Sequence, residues 1–233
     1  MAGTDIYLID QILRGRLDSC TSVLDAGCGK ARNLIGLARA GMDVRAVDRD
    51  EARVAKAKEA LGHAGCSDVD GVVQVAEVDA LPFADHSFEV VICNAVLHFA
   101  RDTAHFDAMV AELWRVLAPD GLLFTRLASS IGLEGRIKII DDGGEVSEAE
   151  GDCTGAAASG DVQSQDAGLG ATAACRRYRL PDGKDRYLVN EALLLATTER
   201  LGGTLADPIK TTNVQGQRCM TTWCVRRSRP ATE

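Results

Sequence analysis

Four stretches of the chain carry residue types that ligand chemistry would use. In the first, Asp25-Ala26-Gly27-Cys28-Gly29-Lys30-Ala31-Arg32-Asn33, two glycines follow the apolar run Val23-Leu24-Asp25-Ala26 and lead into a helix. The backbone can bend sharply there and let a ligand approach closely. Asp48, 23 residues after Asp25, closes a second apolar run with Arg49 beside it, where a carboxylate can accept both hydroxyls of a ribose. Glu77 and Val78 follow a third run; an acid there can accept the adenine amino proton while the next backbone N–H bonds a ring nitrogen. Asn94 ends a fourth run, beside the turn.

A dinucleotide fingerprint wants Gly or Ala three residues after its second glycine, yet Gly29 leads to Arg32, and a phosphate-binding turn has no use for Asp25. An acid ahead of the glycines suits a ligand with cationic groups. The amine and sulfonium of S-adenosylmethionine are such groups, and its carboxylate can face the helix N-terminus. The expected cofactor contacts are Asp25, Gly27, Cys28, Gly29, Arg32, Asn33, Asp48, Arg49, Glu77, Val78 and Asn94.

Three residues are candidates for work on the acceptor. His98, just past the fourth run, is placed to be a general base, the competing role being lid or packing residue. Arg126 and Arg218 lie where the fifth strand ends and the last one starts, so they could hold an anionic acceptor, with structural pairing the equal alternative. Tyr7, on an amphipathic helix with Ile6, Ile9 and Leu13, is a candidate cap set against plain core packing. With Arg101 and Arg179, the rim is biased toward bases, which favours an acidic or electron-rich acceptor. Cys219 and Cys224, five apart on one strand, point to opposite faces, so no metal site is expected.

Positioning these groups takes an α/β layout, in which short apolar runs alternate with helical stripes. Strands are expected at Val23–Ala26, Val44–Asp48, Val72–Val75, Phe88–Cys93 and Leu122–Thr125. A helix over 103–117 presents Phe106, Met109, Val110, Leu113, Val116 and Leu117 as one stripe, and Pro119-Asp120-Gly121 ends it with a turn. A hairpin over 178–189 and a helix over 190–201 follow. Two runs, Thr204–Thr212 and Arg218–Val225, are joined too tightly for a crossover helix and must pair antiparallel.

The 233 residues carry 26 Lys and Arg against 34 Asp and Glu, a net charge of −8 that argues against a broad nucleic-acid surface. Residues 141–175 hold eight of the acids and no Lys or Arg, so that segment accounts for the whole imbalance. With seven glycines and few large aliphatics, it reads as a flexible acidic insertion in a single 1–233 domain. Its charge would repel phosphates near the site, which favours a small acceptor over nucleic acid. The basic tail Arg226-Arg227-Ser228-Arg229 reads as a solvated end. No apolar stretch is long enough for a membrane span, and acids stand among the first residues where a secretory signal would carry bases, so a cytoplasmic protein without membrane contact is expected. The sequence is silent on oligomeric state.

Taken together, these stretches resemble the class I S-adenosylmethionine-dependent methyltransferases, and Asp-x-Gly-Cys-Gly-x-x-Arg-Asn is similar to the version in small bacterial type 11 and tellurite-resistance-type enzymes. The resemblance covers about 1–140 and 176–227. It rests also on Leu81-Pro82-Phe83 followed by Ser87-Phe88-Glu89-Val90-Val91, and on Trp114-Arg115-Val116-Leu117-Ala118-Pro119-Asp120-Gly121. Departures are Ala31 and Asp120, where the family usually has glycine, and the 141–175 insertion. The resemblance implies a Rossmann-like, seven-stranded, mostly parallel sheet with an antiparallel last strand and helices on both faces. It also implies S-adenosylmethionine as cofactor and methyl transfer to a small molecule. The alternatives are an NAD(P)-dependent Rossmann oxidoreductase and a cofactor-binding protein without catalysis.

Overall fold

The computed structural model describes residues 3–133, 135–140, 146–148 and 177–228. In chain order the elements begin with α1 (Ile6–Leu13), β1 (Ser22–Ala26), α2 (Ile35–Arg39), β2 (Asp43–Asp48), α3 (Glu51–His63), α4 (Val69–Val72), β3 (Val73–Val75) and β4 (Phe88–Asn94). A short 3-10 turn (Leu97–Phe99), α5 (Thr103–Val116), β5 (Leu117–Ser129), β6 (Lys138–Ile140) and β7 (Val146–Glu148) come next. The chain continues through β8 (Arg177–Arg179), β9 (Asp185–Tyr187), α6 (Glu191–Arg200), β10 (Gly203–Leu205), β11 (Lys210–Val214) and β12 (Arg218–Arg227).

The main sheet runs β10-β12-β5-β4-β1-β2-β3, with β11 also paired to β12. β1 to β5 are mutually parallel, and β12 lies antiparallel to β5, β10 and β11. The parallel core and antiparallel last strand are those expected, but the described sheet has eight strands rather than seven. The difference lies in the run Thr204–Thr212, which Asp207 and Pro208 divide. Pro208 has no N–H to give a ladder, and Asp207 turns its carboxylate to α1's end, taking Arg16 Nη1 and Nη2 at 2.8 and 2.7 Å and Gln11 Nε2 at 2.9 Å. β10 and β11 therefore share one edge of the sheet.

A second departure is at Pro119-Asp120-Gly121, expected as a turn. β5 starts directly after α5, and the register of β4 against β5 shifts between Phe88 and Val90. Asp120 takes φ 61°, and a Cβ on Gly121 would stand 2.7 Å from the Ala118 carbonyl oxygen. The residues make a bulge inside the strand.

Two cores face the sheet from either side. Phe106, Met109, Val110, Leu113 and Trp114 of α5 and Leu194 of α6 pack with Val91, Leu123, Leu127 and Trp223. Leu8 of α1, Leu34, Leu37 of α2, and Val54 and Leu61 of α3 pack with Val23, Val90, Ile92 and Phe124. Each fully buried large side chain contributes roughly 1.5–3 kcal/mol.

The smaller sheet runs β7-β6-β8-β9 and contains the expected hairpin as β8–β9. It joins the carboxyl end of β5 through a bridge between Ser129 and Val189 and a patch of Ala128, Leu133, Ile137, Leu180, Leu188 and Cys219. Of the expected insertion, Val146–Glu148 pair with β6; residues 141–145 and 149–175 lie outside the described residues. Among the described residues no helix is long and apolar enough to cross a membrane.

Candidate active site

The turn after β1 is clamped to β2: the amides of Gly27 and Cys28 both donate to the Val47 carbonyl, at 2.8 and 2.9 Å. Gly27 sits at φ 83°, and a Cβ there would overlap Val96 Cγ2. Only glycine allows that approach. Gly29, at φ 58°, has open space above it, with nothing within 4 Å of an added Cβ. Its amide donates to Asp48 Oδ2 at 2.9 Å, while Asp48 Oδ1 takes the Asp50 amide at 3.0 Å. Ala31 carries φ 55° fully buried, a left-handed conformation that costs a non-glycine residue about 1–2 kcal/mol.

Above this turn lies a cavity of about 400 Å³. Gly27, Cys28, Gly29, Arg32, Asn33, Asp48, Arg49, Glu77, Val78 and Asn94 all line it. Asp25 does not: it is 1% exposed and lies beneath the turn. Lining residues that sequence reasoning did not assign to the ligand are Lys30, Arg53, Ala76, Ala95, Val96, Phe99, His105 and Met109. His105 and Met109 are i and i+4 on α5, so the start of that helix's stripe turns from the core to the cavity. His105 Nε2 lies 3.3 Å from Asp79 Oδ2, and its Nδ1 accepts the Arg101 amide at 3.1 Å.

Two buried groups here lack partners among the described residues. Neither carboxylate oxygen of Asp25 accepts a hydrogen bond, and Asn94 Nδ2 donates none. Burial pushes the Asp25 carboxyl up to about 7, against the pull of the neighbouring Asn33 and Arg32 side chains. The Cys28 thiol is pushed up by burial and by the Asp25 and Asp48 charges, so it is an inert wall.

The acceptor candidates are spread out. His98 is buried, and its Nδ1 accepts the Ala128 amide at 3.1 Å. The neutral ring then carries its proton on Nε2, with no free lone pair for a base. Burial, with Arg186 and Arg218, pulls its pKa down to about 3. Arg218 is exposed at the start of β12 and does not line the cavity.

Arg126 is paired with Asn94 across β4 and β5, one strand beyond the cavity wall. Its Nη1 donates to Asp5 Oδ2 at 3.0 Å, and its guanidinium stacks 4.7 Å from the centre of the Tyr7 ring. Asp5 caps α1 by accepting the Tyr7 amide and gives its own amide to Asn33 Oδ1 at 3.1 Å. Tyr7 Oη meets Thr212 Oγ1 at 2.5 Å. The start of α1 thus lies over the carboxyl end of β5, where Tyr7, a candidate cap set against core packing, is half-buried against the core beside α1 and does not line the cavity. Asp5 was not singled out in the sequence; an N-cap acid before an apolar run is its only local signal. Among the described residues no group of three or more His, Cys, Asp or Glu is placed to hold a metal ion.

Residues 24–125 match a family described as "Methyltransferase domain". An uncharacterized methyltransferase of Bacillus subtilis, YodH, is 34% identical over 116 residues, which are 50% of this chain and 44% of that protein. The chain spans about half the length of the curated relatives it matches, 48% and 44% for the first two. Among solved structures, the Burkholderia thailandensis 1,6-didemethyltoxoflavin-N1-methyltransferase, with 1,6-didemethyltoxoflavin and S-adenosylhomocysteine bound, aligns with a TM-score of 0.61 at 17% identity, over 98% of this chain and 79% of that one. The [4+2]-cyclase SpnF aligns at 0.60 and 16% identity, over 96% and 80%. Likeness at such identity shows the Rossmann-like fold alone.

Proposed function

We propose that this chain, whose residues 24–125 match a methyltransferase domain, is an S-adenosylmethionine-dependent methyltransferase acting on a small molecule. The observation that carries the proposal is a pair of unsatisfied buried groups, the Asp25 carboxylate beneath the turn and the Asn94 amide on the cavity wall. One wants positive charge and the other an acceptor, and an α-amino acid group offers an ammonium and a carboxylate together. Asp48, at the end of β2, would accept the hydroxyls of a ribose. Glu77 and Val78, after β3, are placed for an adenine edge. The cations Lys30, Arg32, Arg49 and Arg53 around the mouth would suit a dinucleotide's phosphates, but an unpaired buried carboxylate under the turn would repel them. That weighs against the oxidoreductase alternative.

S-adenosylmethionine, when bound, supplies a methyl group on a sulfonium, whose carbon–sulfur bond breaks toward sulfur as a nucleophile bonds to the methyl carbon. The protein's part is to bind and align. Val96, Phe99 and Met109 give the cavity apolar walls that exclude water. Alignment of the two reactants can contribute about 7–11 kcal/mol with no acid or base, consistent with a site that offers His98 no basic lone pair. A small acceptor fits the covered β5 side and the acidic 141–175 segment.

Calorimetry with S-adenosylhomocysteine and with NADH tests the cofactor: binding of NADH alone would overturn the proposal. An assay of S-adenosylhomocysteine release over a panel of small acids, thiols and amines tests the acceptor. Release only with RNA, DNA or protein would overturn the small-molecule part, and tight binding without release for any acceptor would favour a non-catalytic protein.

A further inference from the structure

The strand registers align one row of side chains along the carboxyl edge of the sheet, beneath α1. Asn94 of β4 pairs with Arg126 of β5, Arg126 with Thr222 of β12, and Thr222 with Lys210 of β11. Paired residues point to the same face, and neighbouring strands lie roughly 4.8 Å apart. The row starts in the cofactor cavity, which Asn94 lines. It ends in a second cavity of about 300 Å³, lined by Tyr7, Asp10, Gln11, Thr222, Lys210 and Cys224 among others. Arg126 stands between the two, roofed by Asp5 and Tyr7.

Every member of the row can donate, and the row is short of acceptors. Asn94 Nδ2, Arg126 Nε and Thr222 Oγ1 are buried without partners among the described residues. Lys210 forms no ion pair within 4.0 Å among the described residues, and its Nζ lies 5.3 Å from the Tyr7 ring centre. The acids of the second cavity are already matched, Asp10 to Arg14 at 3.0 Å and Asp207 to Arg16 at 2.7 Å. Among the described residues the one carboxylate that reaches the row is that of Asp5, its side chain 3% exposed, on Arg126. Three unsatisfied polar atoms in succession are costly for a surface that only holds a fold together.

We propose that Arg126, Thr222 and Lys210 form the acceptor subsite, that it takes a carboxylate-bearing small molecule, and that the Asp5 carboxylate stands in for the acceptor's own until it binds. This rests on the methyltransferase reading for the word acceptor, but the anion site is a property of the row itself. The acceptor's carboxylate replaces Asp5 on Arg126, its body fills the second cavity, and displacement of Asp5 joins that cavity to the first. The carboxylate is the handle, and the atom that is methylated lies on the Asn94 side of it.

Benzoate and succinate are titrated by calorimetry into the full chain, beside benzamide and succinamide, with and without S-adenosylhomocysteine. Each acid is expected to bind at least about tenfold tighter than its amide. Arg126→Gln should erase that preference, and Lys210→Gln, at an exposed position, should weaken the acids several-fold even if the first variant folds poorly. Asp5→Asn keeps a side-chain oxygen to cap α1 but removes the competing charge, and should tighten the acids about three- to tenfold while leaving the amides unchanged. A purely structural Asp5–Arg126 pair predicts no such gain. Equal binding of acid and amide, no binding of either acid at millimolar concentration, or an Asp5→Asn variant that binds the acids no better would each overturn the proposal. Failure of S-adenosylhomocysteine to bind would instead count against the cofactor reading, since the acid-against-amide comparison is also made without it.

Discussion

The Gly29 amide donates to the Asp48 carboxylate at 2.9 Å, so the group proposed to meet a ribose is also a strut of the turn that would hold the rest of the cofactor. Replacing Asp48 by Ala is therefore expected to weaken S-adenosylhomocysteine binding by roughly 2–4 kcal/mol, through lost charge-assisted hydrogen bonds and a loosened turn. Asp48→Asn, which can still accept from Gly29, should lose less. Calorimetry on both variants checks this, and equal losses would mean that the strut contributes nothing.

Asp25 gives the unliganded protein a pH dependence of definite sign. Its carboxyl is raised from 3.8 to about 7 by burial, so between those values the folded state binds more protons than the unfolded one. Stability from this group therefore falls as pH rises through that window and is flat above it. Asp25→Asn should remove the fall and be roughly 1–3 kcal/mol more stable than wild type at pH 8 without ligand. Cationic S-adenosylmethionine should bind wild type more tightly as pH rises from about 6 to about 8, taking up an ionised Asp25, and show no such trend in the variant. Urea unfolding and calorimetry across pH measure the two parts. A stability difference that does not change with pH would remove Asp25 as their origin.

His98 acts in the opposite direction. Its pKa is lowered from 6.5 to about 3, so the folded ring stays neutral where the unfolded one charges. The stability it contributes is present above about pH 6.5 and is lost as pH falls toward about 3. His98→Gln, with a carbonyl oxygen to accept the Ala128 amide, should remove the loss that His98 contributes on the acid side, leave the opposite slope of Asp25 uncompensated there, and leave the pH dependence of any methyl transfer unchanged. A shifted pH–rate profile would restore His98 as a base. Between about pH 4 and pH 6.5 Asp25 and His98 offset each other, so wild type should show a flatter curve than either variant.

The two glycines of the turn should fail differently. Gly27→Ala meets Val96 as well as an unfavourable φ, and is expected to destabilise by about 2–4 kcal/mol, with Val96→Ala restoring only the steric part. Gly29→Ala meets nothing, so its backbone cost is about 1 kcal/mol, and its methyl projects into the open cavity, where it should cost cofactor affinity. Thermal melts and calorimetry distinguish the two. A Gly29 variant with normal affinity would place the ligand farther from the turn.

The residues around the cavity were legible as a group because they are local: each lies at or just after a strand end, and strand ends are where a parallel sheet gathers its loops. Ten expected contacts line the cavity for that reason. The β5 side was not legible. Asp5 and Arg126 are 121 residues apart and Tyr7 and Thr212 are 205 apart, and no spacing rule links them. A weaker signal does exist in two strands. Val90-x-Ile92-x-Asn94 and Leu122-x-Phe124-x-Arg126 each end an apolar face with a polar residue, which marks where that face leaves the core. The split of β10 from β11 depended on Arg16 drawing Asp207 out of line, a tertiary effect overriding a strand-like run. His98 looked like a rim residue because it follows β4 so closely; the Ala128 amide that takes up its lone pair belongs to another strand.

Arg16's hold on Asp207 and Tyr7's on Thr212 also set an order of assembly during synthesis. α1 emerges early, yet these partners are made 191 and 205 residues after it. The central strands β1, β2, β4 and β5 can pair well before then, giving a nascent chain a sheet and the glycine turn before α1 has these two partners. Only when residues 207 to 212 arrive do Asp207 and Thr212 complete the side-chain contacts of α1 and the turn after it. In the proposed reading the acceptor side is thus completed last, and a chain stalled before Asp207 would carry the turn with α1 held by fewer partners.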